Sequence, residues 1–217
     1  MEQSISSRWF DDRYLKILKQ ALAIFDYSRD NILFLMNKKI NSDKIFYYPI
    51  YPDEIFEADL VKRQIFDNYE YDILFYGDPT SKRRRELLES LSCRYKLKIC
   101  SEIFGNELYN EILRSKIVIN IHYYENALLE TTRIAELISL NKVVVSECGC
   151  DNVRDFTYDE LVNFVPVGDY ELLVKKIDTL LSKGVYYRTV DYKALRENRR
   201  YYLRIMLSSL GLRFYER

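Results

Sequence analysis

The chain has 217 residues and a mass of 26.1 kDa, and 48% of its residues are hydrophobic, which favours a folded core over disorder. Thirty-three basic residues balance thirty-three acidic ones, so the net charge gives no reason to expect nucleic acid or an anionic membrane surface as a partner. Any site for an anion must therefore be local.

Cysteine usage and targeting signals limit the class of protein further. Four cysteines and a single histidine, His122, form no CxxC pair and show no zinc-ligand spacing, so we expect free thiols and no metal. Only Cys148 and Cys150, one residue apart, are close enough to act as a metal clip. No signal-peptide pattern opens the chain, and no apolar run approaches the roughly 18 residues of a membrane span. These features predict a cytoplasmic protein without a membrane span.

The first part of the chain mixes helical and extended patterns. Residues 8–27 place apolar side chains at helical spacing, which predicts an amphipathic helix. A short helix is predicted over 30–37 with Asp30 as its cap, followed by an extended strand over 44–52 whose two prolines favour an edge. Residues 53–70 are predicted to form a solvated connector.

From Tyr71 onward, short apolar runs alternate with amphipathic helical patterns. Strands are predicted at 71–77, 95–100, 117–124, 142–147 and 161–167. Helices are predicted at 81–94, 105–116, about 128–141 and 169–184. Continuously apolar strands that alternate with helices are typical of a parallel sheet covered on both faces, so we predict a doubly wound, Rossmann-like α/β domain.

Three regions follow from this pattern. Residues 1–70 form a short helical amino-terminal extension, residues 71–190 form the α/β domain, and residues 191–217 form a long basic carboxyl-terminal helix that packs back on the protein. In an open parallel sheet, ligands bind beyond the carboxyl ends of the strands, where the strand order reverses. The loops that follow the predicted strands are therefore the places to search for a site.

The loop after the first of these strands reads GDPTSKRRR. Gly77 allows close approach of a ligand to the backbone, and a helix amino terminus followed by Arg83 and Arg84 supplies donors for phosphate oxygens. These are the parts of a phosphate clamp. The alternative is an ordinary solvated run of charges, because neither GxGxxG nor GxxxxGK[ST] is present.

The segment between the third and fourth strands carries charges that a buried connection does not need. Arg133 and Glu136 lie three residues apart on one predicted helix face, with Glu130 one turn earlier. A carboxylate there is able to accept both hydroxyl groups of a ribose, and Arg133 is able to meet a phosphate. The alternative is a set of intrahelical ion pairs.

Two further residues stand near the carboxyl end of the third strand. His122, predicted to lie on that strand, is either a buried core group or a catalytic group that titrates near neutral pH. Glu125 follows it within three residues. We take both as candidate catalytic residues.

These residues carry a resemblance to a known family. The order strand, YG, paired arginines, helix, and then SKIVINIHYYEN…LLETTRIAELISLNKVVVSE, resembles the carboxyl-terminal, donor-binding domain of GT-B-type glycosyltransferases. The likeness is strongest to a short-motif group found in bacteria and large DNA viruses. The preceding FDYSRDNILFLMNKKINSDKIFYYPI resembles the stretch that joins the two domains in that group, so the resemblance covers about residues 25–165.

The resemblance implies a nucleotide-sugar held between two Rossmann-like domains, with no further cofactor. It places the donor ribose on Glu136, the diphosphate on Arg83 or Arg84, and the nucleobase near Phe104 and Gly105. The chain departs from the family pattern in two respects. Leu128 stands where a partner glutamate is usual, and residues 1–70 are too few for a full acceptor domain, of which they would be a remnant.

Three functional hypotheses follow. The first is a metal-independent glycosyltransferase, or the donor-binding half of one, because the chain has no DxD motif for a divalent cation; its acceptor is an unidentified glycan or protein. The second is a non-catalytic nucleotide-binding module that assembles with itself or with a separate acceptor-domain chain. The third, a response-regulator-like signalling domain, lacks the acidic cluster expected after the first strand.

Overall fold

A computed structural model of the protein describes residues 11–54, 69–151, 158–184 and 189–213. Parts of the predicted amino-terminal helix, of the 53–70 connector and of the carboxyl-terminal region lie outside these residues. The helices of the described residues are α1 Asp12–Gln20, α2 Arg29–Asn37, α3 Lys82–Ser92, α4 Gly105–Leu113, α5 Thr131–Ser139, α6 Tyr170–Lys183 and α7 Tyr192–Ser209. The strands are β1 Ile24–Asp26, β2 Ile45–Tyr47, β3 Tyr71–Tyr76, β4 Leu97–Cys100, β5 Ser115–Asn120, β6 Val143–Glu147 and β7 Asn163–Val165.

The described residues divide into two compact units. The first comprises residues 11–52, 151 and 190–213, and the second comprises 53–54, 69–150, 158–184 and 189. In the first unit, β1 and β2 form a two-stranded parallel sheet. Helix α7 belongs to the same unit, where the Tyr202 ring lies edge-on to the Tyr47 ring and Arg199 donates to the Tyr51 carbonyl. The interpretation of residues 1–70 as a remnant of an acceptor domain stays a prediction.

The prediction of one helix over residues 8–27 is wrong at its carboxyl end. Helix α1 stops at Gln20, and Ala21 takes an extended backbone conformation. Residues 24–26 then pair in parallel with β2, and Ile24 packs against Leu35 and Ile40 in a small core. Strand pairing and burial of Ile24 outweigh the local helical spacing, because β structure depends on its neighbours more than on its own sequence.

The predicted cap of α2 and the predicted bounds of the next strand also differ from the structure. Ser28, not Asp30, caps α2, because its hydroxyl accepts a hydrogen bond from the Asn31 amide. The Ser28 amide in turn donates to the Asp26 carboxylate. The strand predicted over residues 44–52 is limited to β2, and Pro49 follows within two residues of its end.

The second unit contains a five-stranded sheet in the order β4-β3-β5-β6-β7, in which every neighbouring pair is parallel. This order and the helices between the strands define a doubly wound, Rossmann-like α/β fold, which confirms the predicted fold class. The central strands are almost wholly buried, as their continuous apolar sequences predict.

Helices cover the sheet on both faces. Leu87, Leu88 and Leu91 of α3 share one core with Leu173 and Ile177 of α6 and with alternate side chains of β3, β5 and β6. Right-handed crossovers place α4 and α5 on the opposite face, where each buries its own apolar side chains. The carboxyl ends of the strands therefore lie between two layers of helices, with α3 and α6 on one face and α4 and α5 on the other.

Two boundaries differ from prediction where they affect the site. Strand β5 ends at Asn120, so His122 lies in the loop after the strand and not on it. Helix α5 begins at Thr131 with Glu130 as its cap residue, three residues later than predicted. The irregular segment before the helix is held by burial, since Leu128 and Leu129 are 6% and 1% exposed.

Candidate functional site

Strands β3 and β5 lie side by side in the sheet. The chain passes from β3 to β4 on one side of this pair and from β5 to β6 on the other side, so the strand order reverses between β3 and β5. In doubly wound sheets the ligand crevice lies at this switch point, beyond the carboxyl ends of the two strands. Gly77 follows β3 there, and Ile121 follows β5. The charged residues singled out in the sequence converge around these two positions.

Gly77 has a backbone conformation that only glycine adopts readily, with φ of +126°. A Cβ atom at this position would lie 3.2 Å from Arg133 Nη2 and 3.8 Å from Arg84 Nη1. The absence of a side chain thus lets the guanidinium of Arg133 come directly against the backbone at the end of β3.

Arg133 is held by three contacts. Its Nη1 donates to Asn120 Oδ1 at 2.9 Å and pairs with Glu130 Oε2 at 2.5 Å, and its guanidinium stacks 4.6 Å from the centre of the Tyr76 ring. Its side chain remains 19% exposed. Burial raises the pKa of Tyr76, and the charge of Arg133 opposes only part of that rise. The net shift is upward, so the Tyr76 hydroxyl stays protonated at physiological pH.

Arg84 is a buried residue that ties the two strand ends together. Its Nε and Nη2 donate to the Ile121 carbonyl at 2.9 and 2.6 Å, and its Nη1 donates to the Asp78 carbonyl at 2.9 Å. Its Nη2 also pairs with Glu130 at 3.4 Å, and only 4% of its side chain is exposed. Most of its donors therefore serve the protein itself.

Arg83 turns away from Arg84 and binds Glu147 at the end of β6. Its two terminal nitrogens donate to both carboxylate oxygens, Nη1 to Oε2 at 2.9 Å and Nη2 to Oε1 at 2.6 Å. Nη1 also donates to the His122 carbonyl at 2.6 Å. The pair therefore has the bidentate geometry that makes arginine–carboxylate contacts strong and directional.

Glu147 is a residue beside the candidate site that the sequence analysis missed. Its side chain is 1% exposed, and it also accepts hydrogen bonds from the backbone amides of His122 and Gly168. Burial alone would raise the pKa of Glu147, but Arg83 and the two amides hold it below the usual value. The signal available in the sequence was a carboxylate at the end of an apolar strand, KVVVSE, where burial demands a partner.

Glu136 lies one turn after Arg133 on α5 and is half-buried. Its Oε1 accepts a hydrogen bond from the Tyr109 hydroxyl of α4 at 2.9 Å. Burial and this carboxylate together raise the pKa of Tyr109. At the start of α4, Phe104 is 80% exposed, and a Cβ added to Gly105 would meet no atom within 4 Å. The space predicted for a nucleobase is thus open.

His122 is completely buried behind the crevice. Its amide donates to Glu147, and its Nε2 lies 3.1 Å from the Cys148 carbonyl. The other ring nitrogen, Nδ1, has no hydrogen-bond partner among the described residues. The placement matches the alternative of a buried group that organises the loop after β5.

Glu125, the other candidate catalytic residue, is exposed and lines a groove of about 890 Å³ on the α3 and α6 side of the strand ends. The structure therefore separates the predicted site residues into two groups. Gly77, Arg84, Glu130 and Arg133 meet at the switch point, and Glu136 extends from it along α5. Arg83 and Glu125 line the groove instead.

The described part of the chain holds no cluster of three or more histidine, cysteine, aspartate or glutamate side chains arranged as metal ligands. None of its helices has the length and apolar character that a bilayer crossing requires.

Comparison with known proteins gives a sequence relative from a large virus. The chain is 30% identical over 189 residues to Uncharacterized protein L140 of Acanthamoeba polyphaga mimivirus, which matches 85% of this chain and 59% of L140. The chain thus spans less than two thirds of the length of this relative. No protein-family model matches the sequence.

Comparison with solved structures gives neighbours of low sequence identity. The crystal structure of Anabaena Alr3699/HepE in complex with UDP-glucose superposes with a TM-score of 0.52 at 13% identity, over 93% of this chain and 68% of that chain. A crystal structure of a glycosyltransferase from Rickettsia africae ESF-5 gives a TM-score of 0.44 at 16% identity, over 92% of this chain and 68% of that chain. The likeness to HepE supports the Rossmann-like α/β fold.

Proposed function

We propose that this chain binds a nucleotide-sugar at the switch point of its five-stranded sheet and acts as a metal-independent, GT-B-type glycosyltransferase or as the donor-binding part of one. The acceptor is a glycan or a protein. The observation that carries the proposal is the arrangement of Gly77, Arg133 and Glu136, which offers a bare backbone, a guanidinium and a carboxylate along one edge. A protein with this fold, HepE, has been crystallised with UDP-glucose.

Each of these three residues matches one chemical part of a nucleoside diphosphate. The missing side chain of Gly77 lets Arg133 lie against the end of β3, and 19% of the Arg133 side chain stays exposed there to meet a phosphate. A carboxylate accepts about four hydrogen bonds, and Glu136 interacts with the hydroxyl groups of Tyr109 and Tyr76, so acceptor capacity remains for ribose hydroxyls. The exposed Phe104 ring supplies a surface for a base.

Contacts within the protein favour Arg133 over Arg83 and Arg84 for this role. Arg83 and Arg84 were expected to meet the diphosphate, but their donors already bond Glu147 and the carbonyls of His122, Ile121 and Asp78. We therefore assign the phosphate contact to Arg133 first. Leu128 is buried and apolar, so the sugar of the donor has no carboxylate contact at that position.

In the transfer reaction, charge accumulates on the departing nucleoside diphosphate. Arg133 and the amino terminus of α5 are placed to stabilise that charge, because a preorganised cation and helix dipole need no reorganisation as the bond breaks. The catalytic base is not assigned, since His122 is fully buried and Glu125 lies on the groove side.

The test is calorimetry with UDP, GDP, dTDP and the corresponding glucose conjugates. We expect one nucleoside diphosphate to bind, and Glu136→Gln to weaken it by roughly tenfold through loss of a charged acceptor. The control is Glu89→Gln, an exposed glutamate on α3 remote from the switch point. If no nucleotide or nucleotide-sugar binds, the proposal fails.

The second candidate is a non-catalytic nucleotide-binding module that assembles with itself or with a separate acceptor-domain chain. It is favoured by the placement of the two candidate catalytic residues, because His122 is fully buried and Glu125 lies on the groove side. Incubating the purified chain with UDP-glucose and following sugar release by NMR distinguishes the two. Hydrolysis or transfer by the chain alone excludes the non-catalytic module, whereas binding without turnover supports it.

A further inference from the structure

The groove on the α3 and α6 side of the strand ends is a second candidate binding site. Its walls come from the start of α3, from the loop after β5 and from the turn before α6. Its volume of about 890 Å³ falls within the range of small-molecule sites, roughly 300–1,000 Å³. Because Glu136 and Tyr109 belong to helices on the opposite face of the sheet, the groove is separate from the ribose site.

The charge of the groove argues against an anionic ligand. Two cations, Lys82 and Arg83, line it together with two carboxylates, Glu86 and Glu125. Lys82 lies 3.8 Å from Glu86, and the Arg83 charge is already matched by the buried Glu147. A phosphate or an acidic sugar entering the groove would therefore gain no net attraction and would meet Glu125 directly.

Aromatic side chains supply the apolar part of the groove. Tyr123, Tyr124 and Tyr170 all line it, and the first two hold their rings edge-on with centroids 4.9 Å apart. Tyr123 is further fixed by the Arg84 guanidinium, 5.2 Å from its ring centre. Tyrosine offers a flat apolar face and a hydroxyl at once, which suits a ligand that is partly apolar and rich in hydroxyl groups.

Polar groups between these rings complete the recognition surface. Glu125 and Asn126 are exposed in the loop beside Tyr124, and they offer both acceptors and donors. We propose that this groove binds a neutral oligosaccharide, whose ring faces lie on the tyrosines and whose hydroxyl groups bond Glu125 and Asn126. As the acceptor of a sugar transfer this ligand rests on the proposed function, but its binding does not require a nucleotide.

The experiment uses the full chain with defined neutral probes: cellotetraose, maltotetraose and chitotetraose. Saturation-transfer NMR detects binding, and titration gives Kd, which we expect on the order of millimolar. Tyr124→Ala and Glu125→Gln are expected to raise Kd by roughly fivefold to tenfold. The matched control is Tyr201→Ala, a tyrosine of α7 that is 60% exposed and outside the groove.

Three results would each overturn the proposal. The first is the absence of saturation transfer to all three oligosaccharides, and the second is binding that Tyr124→Ala leaves unchanged. The third is tighter binding of trigalacturonic acid than of the neutral probes, because that result contradicts the charge argument. Binding at the nucleotide site is tested independently of the groove. Glu136→Gln is expected to leave oligosaccharide binding intact, and Tyr124→Ala is expected to leave UDP binding intact.

Discussion

Arg83 and Glu147 form a bidentate ion pair that joins the first turn of α3 to the end of β6, with the carboxylate almost completely buried. The same carboxylate also accepts hydrogen bonds from the amides of His122 and Gly168, so one side chain joins the start of α3 to two loops of the carboxyl edge. We expect Arg83→Met to destabilise the fold by roughly 3 kcal/mol, because removal of one partner leaves a buried charge unpaired.

Urea unfolding measures this effect, with Arg85→Met as the control. Arg85 is exposed on the same helix, so its replacement is expected to change the free energy of unfolding by less than about 0.5 kcal/mol. The double variant Arg83→Met/Glu147→Gln tests the pairing itself. It should lose less than the sum of the two single variants, and simple additivity would contradict a direct interaction.

The same carboxylate predicts an acid-sensitive stability. The pKa of Glu147 is lowered in the folded protein, so its stabilising effect is complete above the unfolded value near 4.5 and is lost as the pH falls through the folded value. The difference in unfolding free energy between the wild type and Glu147→Gln should be constant from pH 7 to about pH 5 and should shrink below that. Urea titrations at pH 7, 5 and 3.5 check this, and a difference that grows on acidification would contradict it.

The fold was predictable where the sequence pattern and the tertiary environment agree. Continuous apolar strands such as β3 and β5 are buried on both faces, and their sequences need no other information to be recognised. Strand β1 was not predictable, because Phe25 continues a helical spacing and the strand exists only through its pairing with β2. A local sequence pattern cannot predict that Ile24 pairs with Ile45, a strand residue 21 positions later.

The candidate site was predictable in location but not in the roles of its arginines. The run Lys82–Arg85 looks uniformly basic, yet Arg84 points inward and Arg85 points to solvent. The helical spacing contained part of the answer, since Arg84 lies three and four residues before the buried Leu87 and Leu88. That Arg83 would meet Glu147, 64 positions later, follows only from the order of the strands.

A side chain at Gly77 should disturb both the backbone and Arg133. Gly77→Ala introduces a Cβ 3.2 Å from Arg133 Nη2 at a φ that side chains rarely adopt, so we expect a loss of roughly 1–3 kcal/mol in stability. UDP binding by calorimetry should weaken as well, because the guanidinium is displaced from the strand end.

Gly184→Ala is the matched control for this variant. Gly184 also has a positive φ, +86°, but a Cβ there would meet no atom within 4 Å. It should therefore lose stability through the backbone alone and leave UDP binding unchanged. Equal loss of UDP affinity in both variants would show that the effect is global and not specific to the contact with Arg133.

Glu130 has two alternative roles at the switch point: its carboxylate either occupies the place of a phosphate in the free protein or contacts the bound ligand directly. Its carboxylate pairs with both Arg84 and Arg133. If it acts as an internal substitute for a phosphate, Glu130→Gln should release Arg133 and tighten UDP binding, by roughly fivefold to tenfold for one charged contact. We expect this result, because a carboxylate facing a diphosphate would repel it.

The matched control for Glu130→Gln is Glu111→Gln, because Glu111 of α4 also pairs with two cations, Lys98 and Arg114, away from the switch point. Calorimetry with UDP measures both variants at the same ionic strength. Weaker binding in Glu130→Gln with unchanged binding in Glu111→Gln would mean that Glu130 contacts the ligand directly, and the substitution model would be wrong.

Lys142, at the other end of the sheet, predicts a pH dependence of the same sign in the alkaline range. Burial lowers the pKa of Lys142 to about 8, and its Nζ donates to the Ser115 carbonyl at 2.5 Å. Between this value and the ordinary 10.5, the unfolded chain binds more protons than the folded one, so stability rises with pH. The wild type should gain about 2 kcal/mol relative to Lys142→Met between pH 7.5 and 9.5. Urea unfolding at both pH values measures this, and Lys175→Met, at an exposed lysine, is the control. A fall in the unfolding free energy of the wild type relative to Lys142→Met on raising the pH would contradict the prediction. It would show that the folded protein holds the Lys142 proton more tightly than the unfolded chain does.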